Sequence, residues 1–171
     1  MKRIIRQHFF AQIYELFIRK KAPYWLRKNS LLFLVWIIVR KYLNVSVIPF
    51  IPFNFLRIWM YRLIGYKIGN GCFIGMMCYL DDCLPELMEI RDKVVVSYRV
   101  TFAVHGPSKG TCKNRPIYLE EGCYIGTGAI ILSGVTIGRR SIVGAGSVIT
   151  HDVRPETVVV GVHSKELKKI D

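Results

Sequence analysis

From Ile68 onward the chain keeps a six-residue beat. The frames run IGNGCF (68–73), IGMMCY (74–79) and LDD, then IRDKVV (90–95), VSYRVT (96–101) and FAVH (102–105). After a break they resume as LEEGCY (119–124), IGTGAI (125–130), ILSGVT (131–136), IGRRSI (137–142), VGAGSV (143–148) and ITHDVR (149–154). Each frame opens on Ile, Val, Leu or Phe, and the fifth place never holds anything larger than Val. Six residues make one short strand and one turn, so three frames close a triangular coil, and coils stack at about 4.8 Å. Place one (aliphatic) and place five (small) are expected to point inward. Gly stands at place two at positions 69, 75, 126, 138 and 144. That place fits a tight corner needing either unusual backbone angles or close approach of another chain segment. The period leaves the hand of the helix open.

Two stretches interrupt the beat, Cys83–Glu89 and a longer loop from Gly106 to Pro116. Breaks in a regular solenoid are where function usually sits.

The net charge of +13 is concentrated at one end of the chain. Residues 1–67 hold thirteen Lys/Arg against one acid, Glu15, whereas residues 68–171 hold twelve against eleven. The basic residues are interleaved with Phe, Trp, Ile and Leu. No nucleic-acid-binding signature accompanies them, and an anionic membrane surface fits better than nucleic acid. Residues 1–66 read as short helices. Ile5, Phe9, Ile13 and Phe17 form one apolar stripe, and Leu31–Tyr42 is apolar on nearly all sides. A third helix is expected from Asn54 as N-cap, carrying Phe55, Ile58, Trp59 and Leu63, with Gly65 as its stop. These helices suit both a cap on the β-domain and a membrane interface. The longest unbroken apolar run, Leu31 to Val39, spans only about 14 Å as a helix against about 30 Å of hydrocarbon, so no simple transmembrane helix is expected. Met1-Lys2-Arg3 is similar to the start of a signal peptide. Glu15, Arg19, Lys20 and Lys21 interrupt any apolar core behind it, so no secretory leader is expected. The five cysteines show no zinc spacing, and Cys72, Cys78 and Cys123 fall at place five, where core packing explains them. Thiols kept reduced favour the cytoplasm.

The frames, together with FAVHG (102–106) and VVVGVHSKELKKI (158–170), resemble the hexapeptide-repeat acyltransferases. The likeness is greatest to the branch that modifies capsule or O-antigen sugars and maltose- or galactoside-type acceptors. It covers roughly residues 55–171. The resemblance implies a mainly β fold, a left-handed parallel β-helix (67–171, with the loop insertion 106–116). An N-terminal helical segment (1–66) precedes it and a short C-terminal helix follows. It further implies a homotrimer with sites between adjacent subunits. By the same likeness His105 is the general base, Asp82 or Asp81 faces the acceptor, and acetyl-CoA is the acyl donor. Gly126, Thr127, Ala145 and Thr150 would line the donor groove, and Lys165 and Lys168 would reach the adenosine phosphates. The tail departs from the family pattern: Gly161-Val162-His163-Ser164 stands where Gly-x-Pro-Ala is usual, and His151 holds a position that is often Lys. Both histidines are read as non-catalytic.

The expected function is O-acetylation of a sugar hydroxyl on a glycan precursor, by a cytoplasmic protein peripheral to the inner face of a bacterial plasma membrane. The alternatives are a small-molecule acetyltransferase (serine, antibiotic or free sugar) and a non-catalytic β-helix scaffold. A zinc hydratase on the same solenoid would need about three imidazoles at one ion. His105, His151 and His163 do not match such a set, and no metal is expected.

Overall fold

The computed structural model describes residues 31–81, 84–108, 111–162 and 165–169, of which 31–34, 105–114 and 165–169 are described by their backbone. The stripe Ile5, Phe9, Ile13 and Phe17 therefore lies outside the described residues. Two compact units divide at Tyr42/Leu43. In the first, helix α1 (Leu31–Tyr42) occupies the expected apolar run. It ends on Arg40 and Lys41, cations suited to the negative end of a helix dipole. Val35, Trp36, Ile38 and Val39 on it are exposed. No helix among the described residues is long and apolar enough to cross a membrane.

In the second unit the repeat folds as its chemistry requires. Strands β1 (Lys67–Ile68), β3 (Met88–Ile90), β8 (Ile117–Leu119) and β11 (Thr136–Ile137) stack as one parallel face. A second face stacks β2 (Phe73–Ile74), β4 (Val95–Val96), β9 (Tyr124–Ile125), β12 (Ile142–Val143) and β14 (Thr157–Val160). The third stacks β5 (Thr101–Phe102), β10 (Ile130–Ile131) and β13 (Val148–Ile149), extended by bridges at Tyr79 and Val162. The chain visits face one, then two, then three, and repeats: a triangular β-helix. Every place-one residue from Ile68 to Ile149 and every place-five residue from Cys72 to Val153 is buried. The six-residue pattern thus maps directly onto a narrow core of two inward positions per frame.

The glycines divide the two roles that the sequence left joined. At place two, close approach is the reason. A β-carbon on Gly69, Gly75, Gly126 or Gly138 would stand 2.4–2.6 Å from backbone or side-chain atoms of the next coil. The left-handed backbone belongs instead to place four. It is held by glycines such as Gly128 and Gly146, but also by Met77, Lys93, Arg99 and Arg140 at φ 50–57°.

Residues 43–66 pack onto the open end of the first coil. Ile48, Ile58, Tyr61, Ile64 and Tyr66 join the core. Helix α2 (Asn54–Leu63) stops before Gly65 at φ +110°. Asn54 is its first residue and makes no cap. Instead its amide bridges to the solenoid, donating to the Cys72 carbonyl (3.0 Å) and accepting from the Ile74 N–H (3.0 Å). Arg57, 1% exposed, donates to the carbonyl of Ile74, an acceptor that the terminal coil leaves without a neighbouring coil, and to that of Ile51. Its burial lowers the guanidinium pKa. The face of α2 turned outward carries Phe55, Trp59 and Leu63, each more than half exposed, beside exposed Phe50 and Phe53.

The expected C-terminal helix is not formed. Residues Lys165–Lys169 are strand β15, antiparallel to β14. The last coil leaves the edge of β14 unpaired, and a returning strand satisfies that edge where a helix would not. Its charged sequence, KELKK, suits a sheet margin facing water.

Candidate active site

Both interruptions of the repeat fall at the same corner, between faces three and one. The first follows Tyr79 and the second follows Phe102, one coil later. In the second, β6 (His105–Ser108) and β7 (Thr111–Asn114) pair antiparallel as a hairpin, with His105 opposite Asn114 and Gly106 opposite Lys113. A regular corner has no room for such a pair, so the extra residues leave the coil and His105 is where they leave it.

The backbone at that point is anchored from the coil below. Asp81 is 1% exposed, and its carboxylate accepts the N–H of Val104 at 3.1 Å. The Asp81 carbonyl in turn accepts the Tyr66 hydroxyl at 2.6 Å. A buried carboxylate held to backbone is costly unless it is fully bonded, so it fixes the chain one residue before His105. Asp82, the other carboxylate expected to face the acceptor, lies outside the described residues. Asp81 follows a place-one leucine, a position that the repeat makes a solvated corner, so periodicity gave no sign of its burial. The Val104 carbonyl receives the N–H of Arg115 at 3.0 Å, which closes the loop on its other side. Arg115 lies inside the second interruption, where the repeat gives no signal for it.

The residues assigned to the donor fall at two corners. Gly126, Thr127 and Ala145 gather between faces two and three. A β-carbon on Gly126 would lie 2.5 Å from the Ala145 N–H nitrogen, and the Thr127 carbonyl accepts the Gly146 N–H at 2.8 Å. Thr127 and Ala145 are exposed, so this stack offers a shelf of small groups to a ligand. Thr150 stands at the corner between faces three and one, its hydroxyl 2.7 Å from Nδ1 of His151. Lys165 and Lys168 lie on β15, in register with Val160 and Val158. Within one chain the His105 corner and the Gly126 shelf are separated by the width of face three, about 15 Å at the rise of a strand. Among the described residues, no group of three His, Cys, Asp or Glu side chains is placed to hold a metal ion.

The outward residues of the faces differ in character. Face one presents Lys67, Glu89, Tyr118 and Thr136, whereas face two presents Phe73, Val95, Tyr124, Ile142 and Val158. Face three presents Tyr79, Thr101, Ile130, Val148 and Val162. The two apolar faces meet at the Gly126 shelf.

Comparison with known proteins gives this architecture relatives. The family described as bacterial transferase hexapeptide (six repeats) matches residues 116–151. The galactoside O-acetyltransferase of Escherichia coli K12 is 29% identical over 124 residues, covering 66% of this chain and 61% of that protein. The serine acetyltransferase of Bacillus licheniformis is 37% identical over 102 residues, covering 57% and 46%. The chain thus spans less than two thirds of the length of these curated relatives. Among solved structures, a hexapeptide-repeat acetyltransferase of Vibrio cholerae complexed with acetyl coenzyme A superposes with a TM-score of 0.62 at 25% identity. That match covers 80% of this chain and 86% of the other.

Proposed function

Because the chain is a left-handed parallel β-helix of the hexapeptide-repeat superfamily, we propose that it transfers an acetyl group from acetyl-CoA to a sugar hydroxyl, with His105 as general base. The observation that carries this reading is the convergence of both loop insertions and the buried Asp81–Val104 contact on His105. The donor assignment draws on the Vibrio relative, whose crystal structure contains acetyl coenzyme A. The acceptor class draws on the galactoside relative.

The imidazole takes the proton of the acceptor hydroxyl as its oxygen attacks the thioester carbonyl. A backbone N–H along the Gly126–Thr127 shelf meets the negative charge developing on the carbonyl oxygen. Collapse of the tetrahedral adduct breaks the C–S bond, and the imidazolium returns its proton to the departing thiolate. Since one chain holds the base and the shelf about 15 Å apart, the reaction needs a second copy. A trimer in which apolar faces two and three are covered brings the His105 corner of one subunit to the shelf of its neighbour.

His105→Asn tests the assignment. Turnover should fall by at least about 10² while acetyl-CoA affinity, measured by calorimetry, is kept. A folded variant retaining near-full turnover overturns it. For the acceptor, acetyl-CoA-dependent gain of one acetyl group on sugars is expected by mass spectrometry, and gain on L-serine with none on any sugar overturns the sugar reading.

The acceptor is a membrane-proximal glycan precursor, met by a peripheral protein on the inner face of the plasma membrane. The outward aromatics of α2, the flanking Arg62 and Lys67, and the basic residues 1–66 support this placement. Co-sedimentation with vesicles containing anionic lipid is expected, falling as salt rises. Absence of binding removes the membrane.

A further inference from the structure

Resting on the acetyl-transfer reading, we infer that the acceptor carries an anionic group beside the hydroxyl that is acetylated, and that Arg115 binds it. Arg115 is exposed, and its backbone is tied to Val104, the residue before His105. Its side chain lies along the His105 corner. Its Cβ, Cδ and Nε stand 3.1–3.2 Å from the point that a β-carbon on Gly134 of the next coil would occupy. Gly134 takes the left-handed backbone of place four at φ +78°, and the absence of a β-carbon there also leaves room for the arginine.

The acids described at this corner are engaged with backbone: the Asp81 carboxylate accepts the N–H of Val104 and that of Asp152 the N–H of Thr136. At the corner between faces one and two the cations face carboxylates: Arg91 with Glu120 at 2.9 Å, Lys93 with Glu121 at 2.9 Å, Arg140 with Glu156 at 3.1 Å. Arg115 has no ion pair or side-chain hydrogen bond among the described residues. The stretch 104–116 contains Lys109, Lys113 and Arg115 and no Asp or Glu. Register sets Lys113 opposite Gly106, the residue after His105. Among the described residues Arg115 thus presents an unpaired guanidinium at the corner that carries His105. The planar fork of arginine matches the paired oxygens of a phosphate or a carboxylate. The acceptor is accordingly a sugar phosphate or an acidic sugar rather than a neutral glycoside.

The test offers the full-length protein a panel of hexoses, each as methyl glycoside, as 1-phosphate and as uronic acid, with acetyl-CoA. In the wild type, kcat/KM for a charged form should exceed that for its neutral counterpart by about 10- to 100-fold, mostly through KM. The advantage should shrink at high salt. Which charged form leads distinguishes phosphate from carboxylate. Arg115→Ala should bring the ratio close to one, and Arg115→Lys should restore part of it, more for phosphate than for carboxylate. Melting temperatures confirm that both variants fold. Methyl glycosides acetylated as well as charged forms, or a ratio unmoved in both variants, overturns the inference while the acetyl-transfer reading stands. No acetyl gain on any hexose in any form overturns this inference together with the sugar-acceptor reading.

Discussion

Cys123 shows how one residue type answers one place in the repeat. It is fully buried, and burial pushes its thiol up to about 12. In the unfolded chain a thiol ionises near pH 8.5. Below that value it is protonated in both states and its contribution to stability is complete. Above it the unfolded chain loses the proton and the folded chain does not, so stability is lost as pH rises from about 8.5 towards 12. The melting temperature should fall across that window, less steeply in Cys123→Ala, which the Ala129 found at another place five shows to be tolerable in size. An unchanged slope would mean that the thiol ionises normally in the fold. The residue scale also holds what the pattern concealed. Asp81 stands in the short frame that ends at the first interruption and Arg115 inside the second, where the period that identifies the other positions gives out. Their roles follow from hydrogen bonds to Val104 formed across 23 and 11 positions of sequence.

Among the elements, coil stacking depends on glycine for two separable reasons, and substitution tells them apart. A β-carbon on Gly138 would meet Pro155 N at 2.4 Å and Arg154 C at 2.7 Å, backbone that cannot move without parting two coils. Gly138→Ala should cost at least about 2 kcal/mol by denaturant unfolding. Gly146, at φ +66° with nothing within 4 Å, should lose only about 1 kcal/mol as Ala, because the sole penalty is backbone conformation. Equal costs would refute the division. The elements also mark where local rules gave way. Asn54 has the composition of an N-cap, yet its amide serves better by bridging α2 to Cys72 and Ile74 of the coil. The tail KELKK reads as helical, and β15 forms because an open sheet edge was available to it.

At the scale of the whole molecule, two apolar faces and one polar face suit a solenoid that packs against its own copies. The proposed trimer predicts that Ile142→Glu, outward on face two, will shift the sedimentation mass from three chains towards one and abolish turnover with the coils intact by circular dichroism. A variant that stays trimeric and active would move the interface elsewhere. Read residue by residue, the chain carries its own coil: a six-residue period has a single way to bury an aliphatic and a small side chain in every frame, and that burial acts between near neighbours. The inward positions, the corners and the break at His105 were all readable for that reason. What meets at those corners was not, because the Asp81–Val104 tie, the seat of Arg115 on Gly134 and the closing strand β15 join segments whose spacing follows no period. They exist only once the coils are stacked and bring those segments within hydrogen-bonding reach.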